Sequence, residues 1–178
     1  DCVDDEMLTA MRRAGCIQIS YGVESGSERI RRSLNKRQTD GQIEQAFRLT
    51  TEHGILARAY LIYGCPGADE ESLAEDLAFL ERVAPLVTLF YVLQVFPGTA
   101  LYDQARQRFG LDDSMWLERS EDALYLDVDP DMAIEDVAEY GRKLKERFHA
   151  RLPRSAMDLK LKDDPSLTHG HAAFLSRL

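Results

Sequence analysis

The apolar positions of the chain change period several times, and each change marks an element. Met7, Leu8, Met11 and Ala14 fall at helical spacing and Gly15 stops the run, which predicts a short helix over 4–14. Residues 16–21 (CIQISY) alternate and predict a strand ending in Gly22-Val23-Glu24-Ser25-Gly26-Ser27, followed by a short helix with Ile30 and Leu34 on one face. Thr39 with Gln42 is a capping-box pattern; Ile43, Ala46, Phe47 and Thr50 form the inner face of the helix it opens, and Gly54 closes it. Residues 57–63 (ARAYLIY) predict a second strand, ending in Gly64-Cys65-Pro66-Gly67. Asp69 caps a third long helix with Leu73, Leu77, Leu80 and Ala84 inward, and Pro85 ends it. Residues 88–95 are nearly continuously apolar, the pattern of a strand with both faces covered; they end at Phe96-Pro97-Gly98-Thr99, where another helix opens.

Strand then helix, repeated, predicts an α/β fold with a parallel sheet and right-handed crossovers. Three such units are too few for a closed eight-stranded barrel, so an open half-barrel or a small doubly wound sheet remains. Beyond Gly110 the pattern changes. Residues 111–150 read as an extension with a possible strand at 123–126 and a long helix over about 131–150, striped by Ile134, Val137, Ala138, Gly141, Leu144 and Phe148. Residues 151–178 read as a polar tail. The division is therefore 1–110, 111–150 and 151–178.

The chain has 178 residues and a formal charge of −9, an acidic balance that argues against tight nonspecific binding to nucleic acid or anionic lipid. No window approaches the ~20 apolar residues of a membrane span. Three unpaired-looking cysteines, Cys2, Cys16 and Cys65, fit reduced thiols in a cytoplasmic protein better than a disulfide framework. The chain opens at Asp1 without an initiator Met, so it reads as cut from a longer protein.

Ligands of parallel sheets bind at the carboxyl ends of the strands, and here those ends carry GVESGS, YGCPG and VFPGT, all rich in small residues. Glu24 is the sharpest feature: a carboxylate just past a strand accepts hydrogen bonds from a ribose diol or an ammonium group. The plain alternative, Ser25 as N-cap with Glu28 at N3, accounts for Ser25 and Glu28 but not for Glu24. Arg58 would bind a carboxylate if it pointed into a barrel, or stand as an exposed edge charge. Lys36 and Arg37 read as a solvated turn, and Cys65, with no base partner in view, as structural. His53, His149, His169 and His171 show no zinc-like arrangement. No Walker loop, GxGxxG, GxSxG or HExxH occurs.

Taken together, MRRAGCIQISYGVESGSERIRRSLNKRQT, GILARAYLIYGCPGADEESLAED and VFPGTALYDQA resemble the radical S-adenosylmethionine (radical SAM) superfamily, nearest to the group that often carries a cobalamin-binding domain. The resemblance covers about residues 1–105 and implies the C-terminal half of a partial (β/α)6 TIM-like barrel. It implies a parent enzyme, an iron–sulfur oxidoreductase or a methyl or methylthio transferase. That parent would use S-adenosylmethionine, a 4Fe-4S cluster and in some members cobalamin, cleaving S-adenosylmethionine to a 5′-deoxyadenosyl radical. Carried over, Glu24 and Ser25 sit where the family meets the ribose and methionine parts of S-adenosylmethionine. Arg58 faces the barrel interior in some relatives, and Ile62 and Gly64 lie near the adenine. Val95 and Phe96 meet the adenine edge through backbone groups.

The departure is that no CxxxCxxC occurs, so no cluster ligands and no catalytic residues are assigned, and the chain alone is expected to be inactive. Its expected partners are the missing N-terminal half of the barrel and a small-molecule substrate chosen by residues 111–178 or appended domains. With one sheet edge open, it is expected to self-associate. The competing reading is a cluster-free nucleotide- or partner-binding module with the same half-barrel. An aldolase-like barrel enzyme stands behind both, because no Lys falls in the three predicted strands.

Overall fold

The structure, a computed structural model, describes residues 3–85, 87–110 and 134–151. Trp116, the predicted strand at 123–126, Cys2 and the chain beyond Arg151, with His169 and His171, lie outside the described residues. The order is α1 (Asp5–Arg13), β1 (Gln18–Glu24), α2 (Glu28–Ser33), α3 (Asp40–Glu52), β2 (Leu56–Tyr63), α4 (Glu70–Val83), β3 (Val87–Val92), α5 (Ala100–Phe109) and α6 (Ile134–Arg151). The three strands are parallel in the order β1-β2-β3, with Ser20 beside Arg58 and Arg58 beside Val87. This is the predicted strand–helix repeat, forming an open α/β sheet. β1 runs three residues further than predicted, because Gly22, Val23 and Glu24 continue the ladder through a bulge between Gly22 and Glu24.

The helices begin where side chains take up the unpaired amides. Asp4 accepts from Met7 N–H, Thr39 and Gln42 form a reciprocal capping box, Asp69 does so with Ser72, and Thr99 accepts from Tyr102 N–H. The Ser72 bonds, with Arg29 beside the carboxylate, hold the Asp69 carboxyl below its ordinary value, the Ser72 amide contributing most. At the start of α2 the expected capping box fails. The N-cap is Ser27, without a side-chain cap bond, because the Ser25 hydroxyl is used elsewhere.

Alternation along each strand sends one set of side chains to the helices and the other to the opposite face. Val23, Ala57, Ala59 and Leu61 join Ile43 and Phe47 of α3, Leu73, Leu77 and Leu80 of α4, and Tyr140 and Leu144 of α6 in the main core. Gln18, Ser20, Gly22, Arg58, Tyr60 and Tyr91 alternate to the other face. Sequence pattern suggested that both faces of β3 are covered, and this is corrected: Tyr91 is 51% exposed, on the face opposite the main core. The continuous apolar run arises instead because Thr88 and Phe90 face the core while Leu89 and Tyr91 line the open face, where Tyr91 meets Tyr60 edge-on at 5.8 Å.

Candidate functional site

Positive φ recurs at or beyond the three strand ends: at Glu24, the last residue of β1 (68°), at Gly64 just after β2 (78°) and at Gly98, six residues beyond β3 (83°). Glycine adopts this region without strain; a glutamate does so only where its surroundings hold it. Two buried charges of opposite sign hold Glu24 and its loop.

From one side comes Asp76 of α4, 2% exposed. Its Oδ1 accepts from Ser25 Oγ and from Gly26 N–H, each at 2.6 Å, and its Oδ2 accepts from Tyr140 Oη of α6 at 2.8 Å. Ser25 Oγ in turn accepts from Ser27 N–H at 3.0 Å. Burial pushes the Asp76 carboxyl up from its ordinary value, and these donors oppose the shift. The approach is possible only at glycine: a Cβ on Gly26 would lie 2.5 Å from Phe79 Cβ and 2.8 Å from Asp76 Cα. From the other side comes Arg31 of α2, fully buried. Its guanidinium donates to the Ser25 carbonyl at 2.8 Å, to the Gln38 carbonyl at 3.3 Å and to the Asp40 carboxylate. Asp40 is also held by Arg82, which reaches Glu44 as well.

The Glu24 carboxylate itself comes back over Gly22 and pairs with Lys36 Nζ at 2.9 Å; its side chain stays 16% exposed. Lys36 is therefore not a solvated turn residue, as the sequence suggested. A Cβ on Gly22 would lie 2.7 Å from Glu24 Oε1, so that glycine leaves the space the carboxylate occupies. Beside it, a cavity of about 230 Å³ lies along the outer edge of β1, lined by Ser20, Gly22, Lys36, Gln38 and Gln42 among others.

The other predicted site residues are placed as follows. Ser25 is 1% exposed and holds the loop from beneath. Arg58 lies on the central strand, not at an edge, and donates to Gln18 Oε1 at 3.0 Å. Hydrogen bonds from Ser20 first and Arg58 second hold the Tyr60 phenol below its ordinary value. Ile62 packs against Ile30, Cys65 and Leu93. Cys65 is 1% exposed, and burial above all, with Asp76 and Glu24 nearby, pushes its thiol up to about 12, which makes it unreactive. Gly64 turns the chain after β2; Val95 is buried against Tyr102 and Ala105, and Phe96, 49% exposed, accepts from Thr99 at its carbonyl. The structure thus brings Glu24, Ser25 and the Gly64–Cys65 turn together, with Ile62 beneath, and leaves Arg58 lower on the open face.

Sequence reasoning missed Lys36, Arg31, Asp76 and Tyr140. Asp76 carried a signal: it interrupts the apolar stripe of α4, between Leu73 and Leu77. Among the described residues no three His, Cys, Asp or Glu side chains converge as a metal site, so they do not fit an iron–sulfur cluster. Nor is any described helix long and apolar enough to cross a membrane.

The family model described as Radical SAM superfamily matches residues 1–80. An uncharacterized methyltransferase of Pyrococcus horikoshii is 25% identical over 83% of this chain and 32% of its own length. The anaerobic magnesium-protoporphyrin IX monomethyl ester cyclase of Rubrivivax gelatinosus is 32% identical over 57% of this chain and 18% of its own. The chain thus spans a third or less of these curated relatives. Among solved structures, the radical S-adenosylmethionine methyltransferase TsrM of Kitasatospora setae, with cobalamin and a 4Fe-4S cluster bound, superposes with a TM-score of 0.56 at 24% identity, over 62% of this chain and 22% of that one. Coproporphyrinogen III oxidase of Escherichia coli, described as a radical SAM enzyme, superposes with a TM-score of 0.55 at 21% identity, over 82% and 30%.

Proposed function

We propose that this chain, whose residues 1–80 match the radical SAM superfamily model, is part of a radical SAM enzyme and supplies one wall of its S-adenosylmethionine site. The observation that carries the proposal is Glu24. It is a carboxylate held in a left-handed turn at a strand end, kept partly open to solvent and stripped of any role in the core. Such a group accepts two hydroxyl donors from a ribose, and the ion pair with Lys36 holds it in place. Gly64 and Cys65 bring a neighbouring turn beside it, and the backbone near Val95 and Phe96 completes the row of strand ends.

The reaction class is the reductive cleavage of S-adenosylmethionine that a 4Fe-4S cluster supports. In this proposal the cluster is held by a CxxxCxxC segment that this sequence does not contain, so the chain alone does not turn over. The open face of the sheet, with Arg58, Tyr60 and Tyr91, then looks onto the reaction space, and the other part of the barrel pairs along β1. The relatives' names favour methyl transfer or ring closure, with cobalamin as a further cofactor; the sparse, unpaired cysteines favour a cytoplasmic setting. The alternative of a cluster-free binding module shares the site but not the chemistry. No observation favours it over the first reading.

Equilibrium dialysis with S-adenosylmethionine tests the assignment. A charge-assisted hydrogen bond is worth ~1.5–3 kcal/mol, so Glu24→Gln should weaken binding about tenfold or more. Equal affinity in the variant and the wild type would remove Glu24 from the site.

A further inference from the structure

We infer that Asp76 is the positioning residue of the Glu24 loop, and that it couples the loop to the C-terminal helix α6 through Tyr140; the inference rests on the reading of Glu24 as a ligand-binding carboxylate. The geometry is a three-element junction. One carboxylate oxygen takes both polar hydrogens of the Ser25-Gly26 step, and the other takes the hydroxyl of Tyr140. A carboxylate is the only side chain of this size that accepts from all of them at once.

The Tyr140 ring belongs to the main core, but the hydrogen bonds of the junction are separate from the ladder that joins the strands. The junction does not touch the open face either, so binding would be affected only through the loop. Removing it releases the Ser25 hydroxyl and the Gly26 amide while Glu24 remains in a backbone conformation that needs outside support. The Glu24 conformer that accepts a ligand then becomes one of several, and apparent affinity falls by its remaining population.

α6 is fastened independently of Tyr140. Leu144 is fully buried, Lys143 pairs with Glu70 at 2.7 Å, and Lys145 lies 5.3 Å over the Tyr63 ring. Loss of the Tyr140 hydroxyl should therefore loosen the loop without releasing the helix. Any shift of α6 would reach Glu24 through two hydrogen bonds.

The test compares Asp76→Leu, Asp76→Asn and Tyr140→Phe by amide hydrogen exchange and by the affinity of the folded protein for S-adenosylmethionine. Asp76→Leu should speed exchange at Gly26 and Ser27 at least tenfold, leave Ala59 and Leu61 protected, and weaken binding about tenfold, the shift expected if a tenth of molecules keep the competent loop. Asparagine still accepts from Ser25 and Gly26, so Asp76→Asn should restore both readouts. Tyr140→Phe should give a smaller change of the same sign.

Wild-type exchange at Gly26 and Ser27 in folded Asp76→Leu overturns the inference. So does normal binding despite a loosened loop. If Asp76→Leu does not fold, Tyr140→Phe decides: unchanged exchange at Gly26 overturns the coupling. If the wild-type protein does not bind S-adenosylmethionine, the reading of the site fails, and exchange alone judges Asp76.

Discussion

Gly26→Ala should destabilise the fold by roughly 3 kcal/mol or more, at the severe end of overpacking. The obstruction is not one of backbone angle. A methyl at position 26 would meet Phe79 Cβ at 2.5 Å, Asp76 Cα at 2.8 Å and the Glu75 carbonyl at 2.9 Å. Two of those atoms are backbone and the third is fixed to it, so no rotamer change makes room. α4 or the loop must move, and either movement breaks the Gly26 N–H bond to Asp76 and opens the core around Phe79. Gly41→Ala is the matched control. It lies in the first turn of α3 with nothing within 4 Å of the added atom, and should be neutral or slightly stabilising. Urea unfolding of the two variants measures the contrast, and similar midpoints would contradict it.

Arg31→Lys should also damage the fold, although it conserves charge. Arg31 is fully buried, and its guanidinium reaches three acceptors on different segments: the Ser25 carbonyl, the Gln38 carbonyl and the Asp40 carboxylate. A fixed planar fork serves all three; a single ammonium on a flexible stem serves one or two. A buried carbonyl left without a donor costs ~1–3 kcal/mol, so the loss should be about 2 kcal/mol. Arg31→Met leaves both carbonyls and the Asp40 side of the network short of a donor, and should cost about 3 kcal/mol, the lower end for breaking a buried ion pair. Asp40 is 41% exposed and keeps Arg82, which is why the larger penalties for a stranded charge do not apply. Chemical denaturation of both variants reads these losses. If Arg31→Lys matches the wild type, the guanidinium is not the tie described.

The sheet was legible because its signals are local. The alternation in β1, the apolar run of β3 and the capping residues Thr39, Asp69 and Thr99 each lie within a few residues of what they specify. Glu24 could be singled out because it follows a strand, and the family resemblance pointed to the same residue. Its partners could not be found in this way. Lys36 lies beyond an intervening helix, Asp76 is 51 residues from Ser25, and Tyr140 is 64 from Asp76, so only the fold brings them together.

The same reasoning explains the specific errors. A Ser-x-x-Glu pattern at 25–28 looks like a capping box until a remote carboxylate takes the serine hydroxyl. A lysine just past a short helix looks solvated until the fold brings the Glu24 carboxylate to it. The open face of β3 was hidden because Leu89 and Tyr91 are apolar in sequence whichever way they point.

The central claim is that the strand ends form an S-adenosylmethionine site around Glu24. The most direct measurement is a titration of the isotopically labelled chain with S-adenosylmethionine up to millimolar concentration, followed by amide chemical shifts, which detects weak binding by a single wall of a site. The claim predicts shifts concentrated at Gly22–Ser27, Gly64, Cys65, Val95, Phe96 and Gly98, and their loss in Glu24→Gln. No shifts at those amides, or shifts centred elsewhere on the sheet, would contradict it.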